Sequence, residues 1–265
     1  MKGNLLHADE TGVRLRREKG YIWVFTNMEE VAYFYMPTRE GDFLHEMLSD
    51  FKGVLVTDFY SAYDSIDCPQ QKSLVHLMRD LNDDLLGSPY DEEYKTLVGE
   101  FGQLLRRIVE TIDKYGLKRR HLHAHKAGVD RFFKAIAKRN YSSDLAGQYQ
   151  KRFLRSREKL FTFLDYDGIP WNNNNAEHAV KKFANYREIA DGRMTEASID
   201  DYLVFLSIYQ TCKYKGISFL RFLLSRKKDP SEFCSGTRDC RSASPDDVFV
   251  GGYPRLYRKV RGGSR

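Results

Sequence analysis

IPWNNNNAEHAVKKFANYR, residues 169–187, is the stretch whose reading decides the fold. Four asparagines follow a Pro-Trp pair and lead into a helical pattern. Asn and Pro disfavour helix interiors, whereas Asn is among the best N-caps. Ala176, Ala179, Val180 and Phe183 recur at helical spacing, so a helix starts at the end of the asparagine run, with Asn174 expected as its cap. Glu177 then falls in the first turn, and Lys181 lies one turn further along the same face. An acid at that place can close a capping box and meet the positive end of the helix. Two acids far upstream, Asp9 and Asp58, give it a second meaning.

Asp9 sits in LLHADET (residues 5–11), a β-like run whose alternation puts Leu5, His7, Asp9 and Thr11 on one face. Residues 13–16 read as a second strand. YIWVFT (21–26) and VAYFYM (31–36) are rich in aromatic and β-branched residues, with a turn between them. A helix is expected over 38–51. GVLVT (53–57) is a near-continuous apolar run of the kind buried on both faces of a sheet, and Asp58 ends it. A short strand over 72–75 and a helix through Leu86 follow. From 92 to about 164 the pattern is helical throughout, with Leu97, Phe101, Leu104, Leu105 and Ile108 in one stripe and Phe132, Phe133 and Ile136 in another. YLVFLSIYQTC (202–212) reads as a buried helix, stopped by Gly216. Residues 227–265, rich in Gly, Ser, Arg, Pro and Asp, read as a mobile tail. Strands followed by a long helical block and closing helices predict an α/β domain carrying a helical insertion.

The 265 residues carry a net charge of +6, unevenly spread. Residues 104–160 hold 16 Lys and Arg against 5 Asp and Glu, and residues 226–265 hold 10 against 5. The rest is therefore acidic. Basic regions beside an acidic body point to a polyanion met by particular faces, where a plain solvated surface is the other reading. Four cysteines without CxxC spacing give no zinc framework. With no secretory signal and no apolar run long enough to span a bilayer, a reduced, cytoplasmic protein with no membrane partner is expected.

Asp58 stands at the carboxyl end of a strand, where open α/β sheets build their sites. Neighbouring strands lie about 4.8 Å apart, so Asp9 and Asp58 can share one cation. Two carboxylates that close repel each other unless a cation neutralises them, and a hard ion with oxygen ligands, Mg²⁺ or Mn²⁺, suits them. With Glu177 added, two ions about 3.5–4 Å apart could serve phosphodiester displacement. Each acid also has a plain structural reading: Asp58 as a helix cap, Asp9 in a pair with Arg14, and Glu10 as a competitor for any role.

HADET, GVLVTDFYSAY, the LVHLMRDL helix, IPWNNNNAEHAVKK and the long apolar stretch from 195 to 224, taken in order, resemble the transposases of the insertion sequence 66 family. The resemblance implies a ribonuclease H-like (integrase-type) mixed sheet with a helical insertion domain and C-terminal helices. The segments it implies are 1–90 and 169–226 for the catalytic core, 91–168 for the insertion and 227–265 for a disordered basic tail. By motif, the catalytic and metal-binding triad is Asp9, Asp58 and Glu177, with two Mg²⁺ or Mn²⁺ ions. The partner implied is DNA, both transposon ends and target, bound by a homo-oligomer with accessory transposition proteins in the bacterial cytoplasm. Ser73, Asn172 and His178 depart from the family pattern, as does the front of the chain, where relatives carry a DNA-recognition region. A catalytically silent DNA-binding remnant and another ribonuclease H-like nuclease are therefore the rival readings.

Candidate DNA contacts follow from the same partner. His76 and Arg79, one turn apart, could position a phosphate. Lys118, Arg119 and Arg120 fit sequence-blind backbone contact. Trp171 could stack on a splayed base or pack beneath the asparagine loop. Asn173, Asn174, Lys181, Lys182 and Arg187 complete the set. Among His121, His123 and His125, metal binding is disfavoured because no acid is near in sequence.

Overall fold

The computed structural model describes residues 3–190 and 192–234. Strand β1 (Leu5–Arg14) is followed by β2 (Lys19–Thr26), β3 (Val31–Met36), helix α1 (Asp42–Met47), β4 (Val54–Thr57), a 3-10 turn (Ser61–Ser65), β5 (Gln70–Lys72) and α2 (Leu74–Gly87). Then come α3 (Glu92–Tyr115), α4 (Arg119–Leu122), α5 (Lys126–Ala137), α6 (Asp144–Leu160), α7 (Asn174–Ala190), α8 (Glu196–Tyr214), α9 (Phe219–Leu224) and α10 (Pro230–Cys234). The sheet is mixed, in the order β3-β2-β1-β4-β5, with β1–β4 and β4–β5 parallel and β2–β3 antiparallel. The expected α/β class is what the chain adopts.

The chain divides into two compact units, one of Met1–Asp9 and Glu40–Asn173, the other of Glu10–Arg39 and Asn174–Arg265. Residues 91–168 lie wholly inside the first unit.

In the first unit all four residues of β4 are buried, which is why its sequence is apolar without alternation. Gly53 lets β4 start against β1: a Cβ there would stand 2.7 Å from the Asn4 carbonyl carbon, while Val54 N–H donates to Asn4 O at 2.9 Å. Helices α3, α5 and α6 enclose an aromatic core in which the Phe101 ring centre lies 4.9 Å from Phe153 and 5.9 Å from Phe132. Asp91 caps α3 by accepting from Tyr94 N–H, and Ser143 caps α6 through Ala146 N–H. Arg139 closes the end of α5 onto Glu100 of α3 with two 2.7 Å hydrogen bonds.

In the second unit, Ile22, Val24, Tyr33 and Tyr35 form a core with Ala179 and Phe183 of α7 and Ile199, Leu203 and Leu206 of α8. Strand β3 is a sheet edge, and α8 covers it with hydroxyls: Val31 N–H donates to Thr211 Oγ1 at 3.1 Å and Tyr33 N–H to Ser207 Oγ at 3.0 Å.

Several expectations are corrected. Residues 13–14 extend β1, because Gly12 interrupts neither the extended backbone nor the burial of Val13. Helix α1 spans six residues rather than residues 38–51. β5 ends at Lys72, two residues after it begins, and α2 starts at Leu74. Helix α8 starts earlier than read and is only half buried, with Val204 and Phe205 59% and 57% exposed. Residues 230–234, placed in a mobile tail, form α10, and 235–265 lie outside the described residues. Among the described residues no helix is long and apolar enough to cross a membrane.

Candidate active site

β1 and β4 pair in parallel with Leu5 opposite Val54, Leu6 opposite Leu55 and His7 opposite Val56. Continued by two residues, that register sets Asp9 level with Asp58. Both belong to the first unit, and parallel partners carry their side chains on the same face at a strand spacing of about 4.8 Å. Asp58 Oδ1 accepts from Tyr60 N–H at 2.9 Å, an Asx turn that fixes its χ angles rather than a cap on the 3-10 turn beyond. Glu10, on the opposite face of β1, is committed elsewhere: Arg39 donates to its Oε1 from Nε at 3.1 Å, and the carboxylate is shut away from solvent.

The asparagine run is not a polar surface loop. Asn173 is fully buried, and its Nδ2 donates to Ala8 O at 2.8 Å. A carbonyl only accepts, so the other end of that amide is the oxygen, which lies 3.0 Å from His7 Nδ1. His7 therefore carries its proton on Nδ1. Burial pulls the pKa of this fully enclosed imidazole down to about 4, against the raising effect of the Asn173 hydrogen bond, so the ring is neutral near pH 7. The same loop is bonded to the start of α2, with Leu74 N–H donating to Trp171 O at 2.9 Å and Asn173 N–H to Ser73 Oγ at 3.3 Å.

These contacts revise the sequence reading. Helix α7 begins at Asn174 itself, so Asn174 is its first residue and Glu177 stands fourth. Asn173, at the cap position, commits its amide to His7 and Ala8 instead of to the helix. Asn173 and Trp171 are both buried. Arg187 donates to Thr11 Oγ1 at 3.1 Å and Gly12 O at 2.6 Å, which makes it a brace for β1.

A second group escaped the sequence reading. Lys72, opposite Thr57 in the β4–β5 register, is buried and donates to Thr57 Oγ1 at 3.1 Å. That hydroxyl donates to the Asp58 carbonyl at 2.9 Å. Burial lowers the Lys72 pKa, against the opposing pull of Asp64, its ion-pair partner at 3.1 Å. Burial pushes the Asp64 carboxyl up, but hydrogen bonds from Lys159 and Lys72 together hold it below the usual carboxylate range. A lysine inside a strand-like run was the available signal; only its neighbours make it structural.

The remaining candidates lie on or next to helices α2, α4 and α7. On α2, His76 is half-buried and Arg79 exposed. Lys118, Arg119 and Arg120 line an open cleft of about 700 Å³ with His123 and Asp167. Arg119 N–H donates to Asp167 at 2.8 Å, and Asp165 accepts from Lys126 at 2.8 Å, so acids distant in sequence temper this basic cluster. His121 stacks on Tyr115 with ring centres 4.1 Å apart. Glu177, Lys181 and Lys182 all lie on α7 in the second unit. Lys181 is exposed and Lys182 half-buried.

Among the described residues no group of three or more His, Cys, Asp or Glu is placed to hold a metal. The level pair of aspartates does offer hard oxygen donors of the kind Mg²⁺ or Mn²⁺ takes. The fold is a mixed α/β one in which two aspartates stand level on neighbouring parallel strands. The Transposase IS66 family model matches residues 1–199, three quarters of the chain, and the chain belongs to that family. Its class is thus a DNA-processing enzyme of transposition. No curated protein matches the chain.

Proposed function

We propose that the chain is the catalytic domain of a DDE transposase with a ribonuclease H-like core, in which Asp9, Asp58 and Glu177 hold two divalent ions, Mg²⁺ or Mn²⁺. The observation that supports this best is the register that brings Asp9 level with Asp58. Glu177 joins them through the family resemblance. Such ions, when bound, activate water or a 3′-hydroxyl and neutralise charge on the leaving oxygen.

The chain's own part is positioning. Asp9 and Asp58 supply carboxylate oxygens, and their mutual repulsion favours a cation between them. Lys72 and Thr57 fix the peptide after Asp58, and Asn173 with His7 fixes the strand before Asp9. Two displacements follow. Water opens a phosphodiester at an element end and leaves a 3′-hydroxyl. That hydroxyl then attacks a target phosphodiester, forming one P–O bond as another breaks, with no outside energy source. The basic face of the insertion contacts DNA backbone, and assembly of several copies on DNA in the bacterial cytoplasm, with accessory proteins, completes the reading.

The test is Mg²⁺-dependent nicking and strand transfer on duplexes carrying the ends of the element that encodes this chain. Wild-type protein should act and Asp58→Asn should not. DNA binding without cleavage by the wild type would make the chain a silent binding relative instead, and cleavage without strand transfer would make it another nuclease.

A further inference from the structure

One face of α6 in the first unit carries a row of polar and basic side chains. Gln148, Lys151, Arg152 and Arg155 recur at three- and four-residue spacing and share one side of the helix. With Tyr149 and Asp84 they line an open cleft of about 380 Å³. Arg152 is anchored: its guanidinium carbon lies 4.6 Å from the Phe59 ring centre, and its Nη2 donates to Asp80 at 2.6 Å. Phe59 directly follows Asp58 in the chain. Asp84 is occupied by the Tyr149 hydroxyl at 2.6 Å.

The other cations of α6 differ in how they are neutralised. Arg157 is paired with Asp130 at 3.0 Å, and Lys159 with Asp64 at 2.9 Å. Lys151 and Arg155 are exposed, and among the described residues neither has an ion-pair partner. They lie four residues apart, where like charges repel across one helical turn, with the Arg152 guanidinium between them. An array of that kind is relieved by an anion that spans it. Two negative charges separated by about one nucleotide step meet the requirement.

We propose that this face is a subsite for the DNA backbone, in which Lys151 and Arg155 take two phosphates and Arg152, held by Phe59 and Asp80, forms the fixed wall. The placement of the reacting phosphodiester next to it, at Asp9 and Asp58, rests on the transposase reading; the phosphate subsite itself does not.

The experiment is fluorescence anisotropy of the full chain with a labelled short duplex of arbitrary sequence, between about 50 and 200 mM salt. Lys151→Gln/Arg155→Gln should flatten the slope of log affinity against log salt by roughly 1.8, two contacts at about 0.9 each. In the nicking assay the same variant should raise KM and leave kcat unchanged. Lys134→Gln/Lys138→Gln, which removes two exposed charges at the C-terminal end of α5, is the control. An unchanged slope in the α6 variant, an equal change in the control, or a wild-type affinity independent of salt overturns the subsite. Asp58→Asn should keep the wild-type slope. If that variant still cleaves, the transposase reading falls while the slope result stands.

Discussion

Asn173 and His7 are 166 residues apart in sequence and 3.0 Å apart in space. The contact joins the loop before α7 to the strand that carries Asp9 and sets the ring proton on Nδ1, while burial keeps the imidazole neutral.

A pH dependence follows from that burial. The folded chain holds His7 neutral down to about pH 4, whereas an unfolded histidine protonates near 6.5. Between those values the unfolded state binds more protons, so stability falls as pH falls through the window and is complete above 6.5. The full effect is roughly 3 kcal/mol. Urea unfolding across pH 4–7 should show it, and His7→Gln should flatten most of that slope.

Removing the Asn173 amide leaves buried polar groups without their partner. Asn173→Ala should cost about 2–4 kcal/mol, read as a lower urea midpoint at unchanged m. Asn173→Asp should cost more, because a carboxylate oxygen would then face the Ala8 carbonyl. Destabilisation below about 0.5 kcal/mol in both would show that the loop is not held by this amide.

The Lys72–Asp64 pair should respond asymmetrically. Lys72→Met replaces a buried cation by an apolar chain of similar length and leaves Asp64 paired with Lys159, so the change should be under about 1 kcal/mol. Asp64→Ala leaves Lys72 buried beside Thr57 without its carboxylate, and should cost about 1–3 kcal/mol more. Thermal unfolding of the two variants orders them.

Adjacent acids on β1 should separate in function. Asp9→Asn should lower nicking by about 10³-fold or more, the scale of several kcal/mol of lost charge stabilisation. Glu10→Gln should lower stability slightly, through the Arg39 contact, and leave nicking within about threefold. Equal losses would remove the assignment of Asp9.

Gly53 tests the register. Gly53→Ala sets a methyl 2.7 Å from the Asn4 backbone, so β4 must shift against β1. A cost of about 1–3 kcal/mol is expected, with nicking reduced beyond what the loss of folded protein explains. Full activity per folded molecule would show that the alignment of Asp9 with Asp58 tolerates displacement.

Much of the sheet could be read directly. The buried run at 54–57 and the aromatic hairpin strands are local patterns, and local patterns report burial on one or both faces. The misreadings have a common cause. Asn173 looks like a surface group beside proline and asparagine, but partners 100 and 166 residues away hold it in the interior. Lys72 likewise reads as an ordinary strand-end lysine until Thr57 and Asp64 are placed around it. No local rule announces a distant acceptor.

The order of residues alone determined the α/β class and the family, because periodicity, composition and motif are properties of neighbours along the chain. The tertiary structure decided which acids are available. It set Asp9 level with Asp58 and tied Glu10 to Arg39, and it turned the asparagine loop into a buried clamp. Register and hydrogen-bond partnership depend on which strands and loops meet, and that is fixed only when apolar side chains distant in sequence pack together.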